Sequence, residues 1–184
     1  DDTRLEEVKS ALFQNSLIAH KNAKSVEAEI LSPISFRAGV NSFNKASNDF
    51  KKQKSLDDIR KNLKTSEESF KKAIENTKFA NVALGTTIQA RKDAISVESV
   101  TFAANTLKQA EEKFQVSVRE LEQGDMNNSK KRASEAEKLY RNAELESIQK
   151  NYLDETYALL ELARKEKIKD FCFRVTANQN IGRF

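Results

Sequence analysis

An Ala- and Phe-rich stretch from Phe36 to Glu75 returns, with substitutions, from Val100 to Glu144, and this duplication limits the fold more than any single residue does. Phe43, Ala46 and Phe50 line up with Leu107, Ala110 and Phe114 at one constant offset, while Leu56, Phe70 and Ala73 line up with Met126, Tyr140 and Ala143 at a slightly larger one. The difference reads as a short insertion before Gly124. Self-similarity at a fixed period is the signature of architectures in which each unit buries its apolar face only by packing on a neighbour. With no chemical motif in either copy, the doubled unit reads as a scaffold.

Turn residues are scarce: 184 residues contain one Pro and four Gly, and no Trp. A sandwich, barrel or doubly wound sheet needs turn chemistry at short intervals, so an all-α fold is left. The length suffices for one domain with a core or for an elongated array of helices. Charged residues make up 33% of the chain, 32 basic against 28 acidic, for a net charge of +4. Both signs are mixed along the sequence, which implies solvated helix faces laced by i,i+4 pairs; a nucleic-acid partner would demand a concentrated basic stripe, and none is expected. The single cysteine, Cys172, excludes an intramolecular disulfide, argues against a thiolate metal site and leaves the redox compartment open. No apolar run approaches the roughly 20 residues that span a bilayer. The chain starts at Asp1, so any targeting segment is expected to have been removed or left out.

Three- and four-residue spacing of Leu5, Val8, Leu12, Ala19, Ala23, Val26 and Ile30 predicts a first helix from Arg4 to Leu31. Ser32-Pro33 reads as N-cap and first helical residue of a second helix, running to about Lys54 and burying Phe36, Val40, Phe43, Ala46 and Phe50. Ser55 with Asp58 gives a capping-box-like start to a third, on Leu56, Ile59, Leu63, Phe70, Ala73, Thr77, Ala80, Leu84 and Ile88, with no stop before about Ile95 and a weak point at Gly85. A fourth spans Ser99 to Gln123, closed by Gly124 in the left-handed conformation, and Asp125 caps a fifth, Met126 to about Lys167. The fifth is expected to turn Ala133, Ala136, Tyr140, Ala143, Ile148, Tyr152, Leu159 and Ala163 inward. Short connections at residues 53–55 and 123–125 force antiparallel neighbours, as in helical hairpins and tetratricopeptide-like stacks. The expected organisation is an elongated antiparallel bundle of about five helices: an N-terminal helix over 1–31, repeats over 32–96 and 97–167, and a tail over 168–184 that reads as a short strand, a frayed helix end or an ordered tail.

The segments Ser32-Pro33-Ile34-Ser35-Phe36, Lys54-Ser55-Leu56-Asp57-Asp58-Ile59-Arg60, Leu121-Glu122-Gln123-Gly124-Asp125 and Ala143-Glu144-Leu145-Glu146-Ser147-Ile148-Gln149-Lys150-Asn151-Tyr152-Leu153 carry a resemblance. They resemble the helical region that precedes the outer membrane protein A (OmpA)-like domain in secreted proteins of Bacteroidetes-type bacteria, over most of Leu31 to Lys167. The resemblance implies a periplasmic, cell-envelope location and protein partners there. Nothing in this chain looks like the peptidoglycan-gripping domain of that family, and the Phe171 to Phe184 tail departs from its pattern.

Candidate chemistry is sparse. The only histidine, His20, has Ser16, Ala23 and Lys24 at helical spacing, which reads as a solvated helix face. Glu67-Glu68 and Glu111-Glu112 are paired acids, but Lys71, Lys72 and Gln115 sit one turn on, and acid–base catalysis needs carboxyls converging on a pocket. No Glu-x-x-His di-iron pattern and no Gly-rich phosphate loop occurs, so no enzyme, cofactor or metal is expected. The candidate interaction patch comprises Lys130, Lys131 and Arg132, set against the helix dipole, and Arg164, Lys165 and Lys167 leading into Phe171 and Phe173. The expected function is a non-catalytic spacer and protein-interaction scaffold of the cell envelope, monomer or dimer. The alternative is a dimeric membrane-surface module of the crescent (BAR-like) or coiled-coil kind, which the mixed charge disfavours.

Overall fold

The computed structural model describes the backbone of residues 2–181 and the side chains of residues 6–167. Those residues form eight α-helices and no strand: α1 (Asp2–Ser25), α2 (Ala28–Leu31), α3 (Pro33–Lys51), α4 (Leu56–Ala83), α5 (Gly85–Ser96), α6 (Ser99–Phe102), α7 (Ala104–Glu122) and α8 (Met126–Ile181). Three of the five expected stretches are interrupted. Glu27 and Glu98 adopt left-handed φ values of 59° and 60°, turning the chain between α1 and α2 and between α5 and α6. Ala103 (φ −134°, ψ 37°) separates α6 from α7. The weak point expected at Gly85 falls one residue earlier, at Leu84 (φ −122°, ψ 22°). Leu84 N–H still donates to Ala80 and Ile88 N–H to the Leu84 carbonyl, so α4 passes into α5 without a loop.

Helices α1, α2 and α3 pack on α4, and α5, α6 and α7 pack on α8 in the same order. The backbone repeats in detail. Besides the two left-handed glutamates, the turns after α3 and α7 match: Gln53 (φ 52°) answers Gly124 (φ 86°), and Lys54 N–H to Asp49 answers Asp125 N–H to Glu120. All of these pairs lie 71 residues apart. Past the turn the chain is one residue shorter, so Ile59 N–H to Ser55 answers Ser129 N–H to Asp125. Phe43 therefore corresponds to Phe114 and Phe50 to Leu121, a register seven residues from the expected pairing of Phe43 with Leu107, and unit 2 carries a deletion at its turn instead of an insertion. Two helical turns bring an apolar stripe back onto nearly the same face, so a heptad slip preserves most hydrophobic matches. α1 and α2 belong to this correspondence as the counterparts of α5 and α6.

Unit 1 is built on Phe13, Ala19, Ala23, Phe36, Ile59, Leu63, Phe70 and Ala73, and unit 2 on Ala90, Ala94, Leu107, Ala110, Phe114, Val118, Ala136, Tyr140 and Ala143. Small residues allow the close approach. A Cβ on Gly39 would stand 2.7 Å from the Phe70 ring, and Ala110 occupies the equivalent place in unit 2. Buried hydroxyls find partners across the same seams: Ser16 donates to Ser66, Ser66 to the Gly39 carbonyl at 2.8 Å, and Ser117 to the Ser129 carbonyl at 2.9 Å. Asp125 caps α8 as expected, accepting from Asn128 N–H at 3.1 Å, and this bond holds its carboxyl below the usual range. Ser55 caps α4 through Asp57 N–H, not through a box with Asp58.

α8 differs from every other helix in its length of 56 residues, about 84 Å at 1.5 Å per residue. Residues 168–181 continue it, which overturns the strand reading of the tail. Its buried stripe ends at Ser147, and residues 148–167 are exposed throughout. Ile148, Tyr152, Leu159 and Ala163, expected inward, face solvent, as do Val8, Val26 and Leu56.

Candidate interaction surface

Pro33 at the first position of α3 has no N–H, and Phe36 N–H donates to the Ser32 carbonyl, which leaves the N–H groups of Ile34 and Ser35 without intrahelical acceptors. Ser32 does not cap them with its side chain, as the Ser-Pro signal led one to expect. Glu122, at the far end of α7 in unit 2, does. Its carboxylate accepts from Ile34 N–H at 2.7 Å and Ser35 N–H at 3.1 Å, from the Ser32 hydroxyl and from Asn76 Nδ2 at 3.1 Å. An anion at a helix N-terminus is favoured by both the free donors and the dipole. Beside this socket, Ile30 and Leu31 of α2 belong to the same apolar cluster as Ala80, Ala83, Leu84, Leu121 and Met126, so the two units share one apolar junction with a charged bolt at its edge.

The outer ends of the units differ from that inner junction. At the distal end of unit 2 the counterparts of Ser32, Ser35 and Asn76 are Ala103, Thr106 and Glu146; Thr106 donates to Glu146 at 3.0 Å, and Lys150 donates to the Phe102 carbonyl. At the free end of unit 1, Lys51 stands where unit 2 has Glu122. Here Val8 and Lys9 of α1 and Phe50, Leu56 and Ile59 of the α3–α4 turn bound an apolar groove of about 520 Å³. The groove is rimmed by Lys51 and by Lys54, which pairs with Asp49 at 2.8 Å.

The expected basic patch does not come together. Lys130 and Lys131 are exposed, and Arg132 pairs with Glu135 at 3.4 Å. Arg164 pairs with Glu161 at 3.0 Å, and Lys165 and Lys167 are exposed. The two clusters sit on one helix roughly 50 Å apart. The side chains of Phe171, Phe173 and Cys172 lie outside the described residues.

The paired acids are engaged in ion pairs: Glu67 with Lys71 at 2.6 Å, and Glu111 with Arg91 at 2.6 Å while accepting from the Tyr140 hydroxyl at 3.0 Å. Burial, reinforced by the Glu111 charge, pushes the Tyr140 phenol far up, so it remains a donor. His20, expected on a solvated face, is half-buried and stacks on Phe70 at 4.8 Å and 29°. Burial first, then Lys24, lowers its pKa, against an opposing pull from Glu29. Among the described residues no group of three or more His, Cys, Asp or Glu is arranged to hold a metal ion, and no helix is long and apolar enough to cross a membrane.

No protein-family model, curated protein or solved structure matches the chain.

Glu122 is the residue that sequence reasoning missed. Its partners lie 87 and 88 positions away, and the only local sign was a glutamate in the last turn of a helix, where the dipole disfavours it unless another helix start receives it.

Proposed function

We propose that the chain is a non-catalytic spacer and protein-interaction scaffold of the cell envelope, with its two units acting as one stiff arm. The observation that carries this reading is the junction: α4 runs into α5 without a loop, and Glu122 of unit 2 caps α3 of unit 1. The break at Leu84 is a single residue bridged by its hydrogen bonds to Ala80 and from Ile88, and together with the Glu122 contact it leaves the two units less freedom than a loop would. The periplasmic address and the envelope proteins as partners rest on the resemblance to the helical region that accompanies OmpA-like domains. Tetratricopeptide-like use of helical hairpins as a binding surface belongs to the same proposal. The crescent-dimer alternative is the weaker reading, since the exposed residues 148–167 mix Lys150, Arg164, Lys165 and Lys167 with Asp154, Glu155, Glu161 and Glu166 and offer no single-sign face to anionic lipid.

Small-angle scattering tests the arm. A radius of gyration well above the value of about 16 Å for a compact chain of this length is expected. A value near 16 Å contradicts a spacer.

A further inference from the structure

Two apolar surfaces have no partner among the described residues, and they lie at opposite ends. One is the groove at the free end of unit 1. The equivalent place in unit 2, where Leu121 and Met126 stand for Phe50 and Leu56, belongs to an apolar cluster that also holds Ile30 and Leu31 of α2. The internal junction thus brings aliphatic side chains carried on a helix to the corresponding cluster.

The other surface is the exposed stretch of α8. Ile148, Tyr152, Leu153, Leu159, Leu160 and Leu162 present a broad apolar face, with Leu159 67% exposed. From Ile148 to Arg164 the charged residues are Lys150, Asp154, Glu155, Glu161 and Arg164; Arg164 pairs with Glu161, and Asp154 and Glu155 have no ion pair among the described residues. The groove rim carries Lys9, which pairs with Glu6 at 3.2 Å, Lys54, which pairs with Asp49 at 2.8 Å, and Lys51, which has no ion pair among the described residues. The internal junction places Glu122 at the position where the free groove places Lys51, so this end is charged to meet an acidic helix and not a helix N-terminus.

We infer that the exposed segment of α8 docks into the unit 1 groove of a second copy of the chain, giving head-to-tail self-association. The aliphatic face fills the space between Val8, Phe50 and Leu56, and Asp154 and Glu155 lie against the rim at Lys51. Because groove and helix sit at opposite ends, one molecule does not satisfy both, and the contact is heterologous: it adds copies in a row unless the geometry closes. Helix-in-groove recognition of this kind is read through i, i+3, i+4 and i+7 anchors, the spacing of Ile148, Tyr152, Leu159 and Leu162.

Sedimentation analysis across micromolar to millimolar concentration tests the contact. The mass is expected to rise with concentration. Leu159→Asp removes the helix half and Val8→Asp the groove half; each is expected to weaken association at least about tenfold. Both positions are exposed, and melts followed by circular dichroism check that the variants fold, with Leu162→Asp and Leu56→Asp as a second pair. Mixing the two variants is the decisive step, since each keeps the half that the other lacks. A one-to-one dimer that grows no further is expected. A wild-type chain that stays monomeric at every concentration overturns the proposal, as does binding of anionic vesicles by that monomeric chain through the same helix. An assembly that the mixture fails to reconstitute also overturns it, in favour of α8 pairing with α8. A monomeric rod would leave the spacer reading intact, so the two fail separately.

Discussion

His20 shows how one side chain ties packing to pH. Stacked on Phe70 and tilted 5.5 Å from Phe36, it is held neutral by burial and by Lys24, so its folded pKa lies below the ordinary 6.5. The unfolded chain then binds the proton more readily than the folded one, and the stabilisation present above the unfolded pKa is lost as pH falls through the folded value. The melting temperature is expected to drop between neutral pH and about pH 5, and His20→Gln to flatten that slope; an unchanged slope contradicts the account. Gly39 is a second test at this scale. Its missing Cβ leaves room for a Phe70 ring that is only 1% exposed. Gly39→Ala gains roughly 1 kcal/mol of helix propensity, while overpacking costs about 1–3 kcal/mol. A lower urea midpoint is expected, against a midpoint that rises if the ring gives way.

At the scale of elements, the 71-residue register separates positions that spacing alone makes look alike. Phe114 is fully buried against Tyr140, with ring centroids 6.2 Å apart, whereas Phe50 is half-buried at the mouth of an open groove. Phe114→Ala is expected to cost about 3–5 kcal/mol, and Phe50→Ala about half of that or less, since much of its surface is already in water. Equal losses in denaturant melts would restore the pairing of Phe50 with Phe114. The helical content was legible because Gly and Pro are few and the apolar residues recur at helical spacing. The break at Glu98 falls between the expected end near Ile95 and the expected start at Ser99, but those at Glu27 and Ala103 were not legible, because no Gly or Pro marks them and the helix resumes after one or two residues. Nor was the fate of Ile148, Tyr152 and Leu159: periodicity shows that a face is apolar and is silent on whether anything covers it.

Among the described residues, α1–α4 and α5–α8 follow one backbone pattern and meet at Leu84, where α4 passes into α5, with α8 extending past the other helices. The interaction surfaces arise from that arrangement more than from any local motif. Glu122 was invisible in the sequence because its meaning depends on unit 2 reaching α3 of unit 1, a contact between residues nearly half the chain apart. The socket has no equivalent at the outer end of either unit, where Lys51 and Glu146 stand in place of Glu122 and Asn76.

The stiffness of the junction is the central claim, and a distance between the units measures it directly. Nitroxides at the exposed positions of Lys72→Cys and Lys138→Cys, in a Cys172→Ser background, report it by pulsed dipolar spectroscopy. A single narrow distance distribution is expected, broadened by Glu122→Ala, which frees the first turn of α3 from unit 2. A broad distribution in the parent protein, or one that Glu122→Ala leaves unchanged, contradicts the account.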